Sequence, residues 1–132
     1  MMQGYASGEI PSTIMGRLAK GYNEKEIEQM GQYFAAQEYV AAAQKSDSAK
    51  AAQGAKIHEK FCEKCHSESG TVADDDSGFL KGQWKPYLAA QMMDYSNKDR
   101  TATKKMMKKL KKMLDKHGDE GVSALIEYYS SK

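Results

Sequence analysis

The sequence predicts an all-α protein, and two observations support that prediction. Residues 22–37 place Ile27, Met30, Gly31 and Phe34 at i, i+3, i+4 and i+7, the spacing of one helical face. Asn23, near the start of this segment, is the expected N-cap, and the glutamate three residues later completes a capping-box start. The second observation is that no segment of the 132 residues alternates apolar and polar side chains as a strand would.

Residues 118–132 repeat the first helix. Their apolar positions, Val122, Leu125, Ile126 and Tyr129, match those of the first helix at a constant offset of 95 residues. Both segments also end in an aromatic pair, at 33–34 and at 128–129. The match indicates an internal repeat and hence descent from a duplicated domain.

Two further helices are predicted between these copies. Residues 84–97 form one, with Pro86 tolerated in its first turn. Residues 101–118 form a lysine-rich helix with an apolar side, and Gly118 is its expected stop. Residues 41–53 lack an apolar stripe and are interpreted either as a linker or as the solvated start of a helix that continues into the cysteine motif.

Composition limits the class of protein. The chain suffices for one domain, or for a small domain with an appendage. It has no run of about 18 apolar residues, so no membrane span is expected. Its start has no signal-peptide pattern, so an exported protein would be seen here in processed form. Net charge is only +2, but residues 104–116 hold seven lysines. They form either a solvated helix face or a surface that attracts an acidic redox partner, and nothing in the pattern favours nucleic acid.

Both cysteines of the chain lie in the hexapeptide FCEKCH, residues 61–66. A structural zinc site normally takes four ligands from two separated pairs, and only one pair exists. A thioredoxin-like dithiol expects strands around it, and none is predicted. The third interpretation uses Cys62, Cys65 and His66 together, because Cys-x-x-Cys-His is the attachment signature of c-type haem. The two thiols would form thioethers with the haem edge, and His66 would bind iron.

The sixth iron ligand decides what such a haem can do. A methionine thioether closes the iron and raises its reduction potential, whereas an open position suits oxygen or peroxide chemistry. We predict Met106 as that ligand, with Met107 as the fallback, since both lie downstream and ahead of the last helix. Met92 and Met93 are expected to pack in the core, and His58 is expected to be a packed or capping histidine.

Four segments carry a family resemblance. HEKFCEKCH (58–66), KGQWKPYL (81–88) and KKMMKKL (104–110) resemble the second domain of the cytochrome subunit of flavocytochrome c sulfide dehydrogenase, and PSTIMGRLAKGYNEKEIEQMGQYFA (11–35) resembles the end of the first domain. The resemblance implies a class I cytochrome c domain with a short helical remnant of a second cytochrome-like domain. It implies three regions: the remnant at 1–40, a linker at 41–53 and a mono-haem domain at 54–132. The first domain's own attachment motif is missing, so Met15 is an orphaned ligand.

The same resemblance implies a function. The chain would be a periplasmic electron-transfer subunit with one covalent haem c, docked as a heterodimer on an FAD-containing, sulfide-oxidising flavoprotein. It would pass electrons to a soluble acceptor and do no bond chemistry itself. Three alternatives stay open at this stage. They are a free-standing mono-haem shuttle, a copper-binding protein that uses the methionines and histidines, and a haem enzyme with an open sixth site.

Overall fold

Helices are the regular elements of the part of the chain that the structure describes, residues 1–73 and 77–131. The computed structural model divides the chain into two units, Met1–Tyr39 and Val40–Lys132. The first unit contains α1 (Met2–Ser7), α2 (Met15–Ala19) and α3 (Glu24–Ala35). The second contains α4 (Ser48–Phe61), α5 (Ser67–Gly70), α6 (Lys85–Asn97) and α7 (Lys104–Ser130). The prediction of an all-α chain is confirmed.

Helix α3 begins where the sequence predicts. The Asn23 side chain accepts a hydrogen bond from the Glu26 backbone N–H at 3.0 Å, and the Glu26 carboxylate accepts from the Asn23 N–H at 2.8 Å. Two N–H groups that the helix itself leaves unpaired are thereby satisfied. The apolar face is poorly covered, because Ile27 and Met30 are half-buried and Phe34 is 69% exposed.

The core of the second unit lies where α4 crosses α7. A Cβ atom added to Gly54 would lie 2.1 Å from the carbonyl oxygen of Ala124, so only glycine allows the two backbones to approach this closely. Leu88 of α6 closes the core from another side. The buried apolar residues of this core are Ile57, Leu88, Leu110, Met113, Ala124, Leu125 and Tyr129.

Helix α7 contains both the lysine-rich helix and the second copy of the repeat. Its backbone is interrupted at Gly118, where φ is 55° and ψ is −151°, a conformation that is essentially restricted to glycine. The predicted stop is therefore a break between two helical halves within one element. At the start of α7 the Thr103 hydroxyl accepts a hydrogen bond from the Met106 N–H at 3.2 Å and caps the helix.

Helix α4 begins inside the segment 41–53. The Asp47 carboxylate caps it by accepting from the N–H groups of Ala49 and Lys50, so residues 48–53 are helical. Of the two interpretations of this segment, the start of a helix therefore applies from Ser48 onward.

One methionine expectation is wrong. Met92 packs against the core as expected, but Met93 is 64% exposed. Successive residues of a helix point about 100° apart, and the core covers only the side of α6 that carries Met92. None of the helices in the two described ranges has both the length and the apolar character of a membrane span.

Candidate haem-attachment site

The three motif residues lie in one turn at the end of α4. Cys62 ends that helix, and its N–H donates to the carbonyl of His58 at 2.7 Å. The carbonyl of Cys62 then accepts from the N–H groups of Cys65 at 3.1 Å and His66 at 3.0 Å. The backbone therefore forms a tight turn, and both cysteines and His66 lie within it. Both thiols are free; Cys62 is half-buried and Cys65 is exposed.

The surroundings of Cys62 keep its thiol protonated. Burial raises the pKa of Cys62, and this effect outweighs the hydrogen bond with Tyr129 and the positive charge of Lys109, which both lower it. The Cys62 thiol therefore lacks the lowered pKa that is typical of a redox nucleophile.

His66 is held as a neutral, incompletely bonded imidazole. Burial lowers its pKa first, and the nearby His58 lowers it further. Its Nδ1 atom is buried and is the one such side-chain nitrogen or oxygen without a hydrogen-bond partner in residues 1–73 and 77–131. A buried polar atom is normally bonded, so this one indicates a partner that the chain itself does not supply. Neutral imidazole is also the form that binds metal.

These donors fit a c-type haem. Two free thiols three residues apart and a neutral imidazole next to the second are what covalent attachment and axial ligation require. Across the described ranges, no group of three or more His, Cys, Asp and Glu side chains converges as a chelate for a single metal ion.

Met106 lies in the first turn of α7. Both it and Met107 are half-buried, whereas Met113, two turns further on, is fully buried in the core. The start of α7 therefore carries two methionines that are not part of the hydrophobic core. Met106 as the sixth ligand stays a prediction, with Met107 as the fallback.

His58 is the packed histidine that the sequence predicts. It is 2% exposed, and its Nδ1 lies 2.7 Å from the Tyr129 hydroxyl. Its Nε2 bonds the carboxylate of Glu63, the residue that follows Cys62. Sequence reasoning missed both partners. The position of His58 one helical turn before Cys62 was a usable signal that it faces the motif, but Tyr129 is 71 residues away in sequence.

The chain is similar in structure to two solved cytochrome c4 proteins. The chain superimposes on Acidithiobacillus ferrooxidans cytochrome c4 with a TM-score of 0.77 and 22% sequence identity, over 99% of this chain and 81% of that one. It superimposes on reduced recombinant cytochrome c4 from Pseudomonas stutzeri with a TM-score of 0.74 and 23% identity, over 98% of this chain and 76% of that one. No protein-family model and no curated protein sequence matches the chain.

The fold is a cytochrome c fold. Both superpositions cover nearly all of this chain, so the likeness includes α1–α3 as well as the unit that carries the cysteine motif. At these identities the likeness establishes architecture, and the chemistry of the site has to be argued from its own residues.

Proposed function

We propose that this chain is a periplasmic electron-transfer subunit with one covalent haem c, held by Cys62, Cys65, His66 and Met106. The observation that carries the proposal is the turn at the end of α4, which joins two free thiols to a neutral imidazole with an unpartnered buried nitrogen. The cytochrome c fold supports it, because the Acidithiobacillus ferrooxidans cytochrome c4 that shares this fold functions in electron transfer.

Each residue has a defined role in this proposal. Cys62 and Cys65 would hold the haem through thioether bonds, each thiol adding to a vinyl group with its hydrogen on a vinyl carbon, so attachment would need no oxidant. His66 and Met106 would be the two protein ligands of the iron, and with both bound no position would be open for a substrate. Bound haem would supply one-electron chemistry at iron, and the chain would contribute attachment, ligands and the surroundings whose polarity sets the potential.

We further propose that the electron donor is an FAD-containing flavoprotein that oxidises sulfide, and that a soluble carrier accepts the electrons. The segments 58–66, 81–88 and 104–110 support this through their resemblance to the flavocytochrome c subunit. The first unit supports a protein partner, because it exposes large apolar side chains: Ile14, Leu18, Tyr33 and Phe34. The resulting heterodimer would leave the lysines of α7, all of them exposed, to attract the acceptor.

Replacement of methionines tests the ligand assignment. Met106→Ala should open the sixth position, lower the reduction potential and allow the native protein to bind carbon monoxide, because the thioether no longer closes the iron. Met93→Ala is the matched control, since Met93 is exposed on α6. Met107→Ala decides between the neighbours: if it alone produces these changes, Met107 is the ligand. If neither variant alters the spectrum or the potential, methionine ligation by this helix is wrong.

Purification from the native host tests the partner. The proposal predicts a one-to-one complex with a yellow flavoprotein whose FAD is reduced by sulfide and then reduces the haem. A second candidate function, a free-standing mono-haem carrier, is favoured by the likeness to cytochrome c4. It predicts that the chain purifies alone and exchanges electrons with soluble carriers only.

A further inference from the structure

Glu63 occupies an unusual place for a carboxylate, between the two cysteines of the attachment turn. One carboxylate oxygen bonds Nε2 of the buried His58, and the other accepts from the backbone N–H of Glu68 at 3.0 Å. The backbone N–H of Ser69 also donates to it. An ionised carboxylate only accepts hydrogen bonds, so Nε2 of His58 carries a hydrogen in this contact. The side chain thus spans the turn that contains His66.

The far side of this turn has a backbone conformation that needs support. Glu68 has φ 50° and ψ 48°, and Ser69 has φ 64° and ψ 20°. Both are left-handed, and neither is glycine, so each carries the steric cost of its Cβ atom. Their N–H groups both point at the Glu63 carboxylate. Charge-assisted hydrogen bonds of this kind offset the strain, so the carboxylate stabilises this conformation.

A second contact, with Tyr129, holds the His58 ring on the side opposite Glu63. While Nε2 bonds Glu63, Nδ1 on the other side of the ring lies 2.7 Å from the hydroxyl of Tyr129 and forms a hydrogen bond with it. Tyr129 is buried in the core and its hydroxyl also bonds the Cys62 thiol. The chain of contacts therefore runs from α7 through α4 into the attachment turn, and it reaches the turn on both sides of His66.

We propose that Glu63, fixed by His58 and Tyr129, is a positioning residue for the axial imidazole. Its carboxylate ties the backbone before His66 to the backbone after it and so fixes the plane of the His66 ring. This inference rests on the proposed haem site, and it assigns to the first variable residue of the Cys-x-x-Cys-His motif a task that the motif itself does not specify.

Three variants of the purified holoprotein test this. Glu63→Gln keeps the size of the side chain but leaves one oxygen for three donors. Tyr129→Phe removes the hydroxyl behind His58 without changing any charge. Glu59→Gln is the matched control, because Glu59 is exposed on α4 just before the turn and the substitution changes charge identically. The readouts are amide hydrogen exchange at Glu68 and Ser69 and the electron paramagnetic resonance g-values of ferric haem, which depend on the plane of the axial imidazole.

Glu63→Gln should speed exchange at both amides by about tenfold or more, as the loss of a charged hydrogen bond does, and should shift the g-values. Tyr129→Phe should shift the same readouts less, and Glu59→Gln should match the wild type. A reduction potential that moves in Glu63→Gln while exchange and g-values stay unchanged would show a charge effect only and overturn the inference. Unchanged readouts in Tyr129→Phe would show that the contact of Tyr129 with His58 does not help to position Glu63. This variant also keeps the test valid if Glu63→Gln does not fold. A wild-type protein without haem would instead refute the proposed function itself.

Discussion

The two copies of the repeated helix, α3 and the second half of α7, share their apolar spacing and differ in what covers them. Phe34 of α3 is 69% exposed, and its counterpart Tyr129 in α7 is 7% exposed. Met30 is half-buried, whereas its counterpart Leu125 lies in the core. An amphipathic pattern therefore predicts a helix and its apolar face, but burial depends on whether the chain supplies an element to lie on that face.

Small residues allow α4 to pack closely against the apolar face of α7. Ala124 lies under Gly54 of α4, and Gly121 one turn earlier leaves no room for a side chain beside Met113. At the same offset, α3 carries Glu26 and Gln29. These side chains are long and polar, so α3 has the apolar spacing of the repeat but lacks the small residues found where α4 and α7 cross.

The largest difference is expected from truncation at matched positions. Leu125→Ala should lower the free energy of unfolding by about 3 kcal/mol, because it opens a cavity in the core. Met30→Ala should cost less than about 1 kcal/mol, because its side chain is only partly removed from water. Denaturant titration of the holoprotein followed by far-UV circular dichroism measures both. Equal costs at the two positions would contradict the difference in burial.

Glycine replacement should change stability in opposite directions in the two regions. Gly54→Ala should destabilise by about 1–3 kcal/mol, since its Cβ would overlap the backbone of α7. Gly31→Ala in α3 should stabilise by about 0.5–1 kcal/mol, because no atom lies within 4 Å of the added Cβ and alanine favours the helix. Thermal unfolding of the two variants gives the signs, and a neutral Gly54→Ala would mean that α4 and α7 do not cross there.

A smaller effect is expected at Glu127, which bonds Lys85 of α6 at 2.6 Å and the N–H of Asp47 at 2.7 Å. Its counterpart Gln32 bonds only Glu28 of its own helix in the described contacts. Glu127→Gln should therefore cost about 1–2 kcal/mol, whereas Gln32→Glu should change stability by less than about 0.5 kcal/mol. Both can be measured by the same titration at neutral pH.

The cost of Glu127→Gln should also depend on pH. Lys85 is the main cause that lowers the pKa of Glu127, with the Asp47 N–H second. A carboxyl with a lowered pKa contributes its stability above its ordinary value of about 4.5 and loses it as pH falls through the folded-state value. The stability of the wild type and of Glu127→Gln should thus converge on acidification. A difference that persists unchanged in acid would exclude the ion pair as its source.

Local signals made most of the helices predictable. The capping box at Asn23, the break at Gly118 and the apolar spacing of both copies all depend on residues within a few positions of one another. Helices α1, α2 and α5 were not predicted, because elements of four to six residues are set by tertiary contacts more than by their own sequence. The burial of Met92 and exposure of Met93 likewise depend on where α6 lies against its neighbours.

The candidate site divides in the same way. Cys62, Cys65 and His66 are contiguous, so their shared turn follows from the sequence. The contact of His58 with Tyr129 joins residues 71 positions apart and required the crossing of α4 and α7 to be known. No periodicity reveals Glu63, because its role depends on the left-handed backbone at Glu68, which nothing in the local sequence indicates.

The central claim is that the turn at the end of α4 carries one covalent haem. A pyridine haemochrome spectrum of the purified protein, taken together with its intact mass, tests it most directly. We expect the spectrum of a haem with two thioether links and a mass increase of one haem, with both signals lost in the Cys62→Ala, Cys65→Ala double variant. A wild-type protein whose mass equals that of the polypeptide alone, with no haemochrome absorbance, would contradict it.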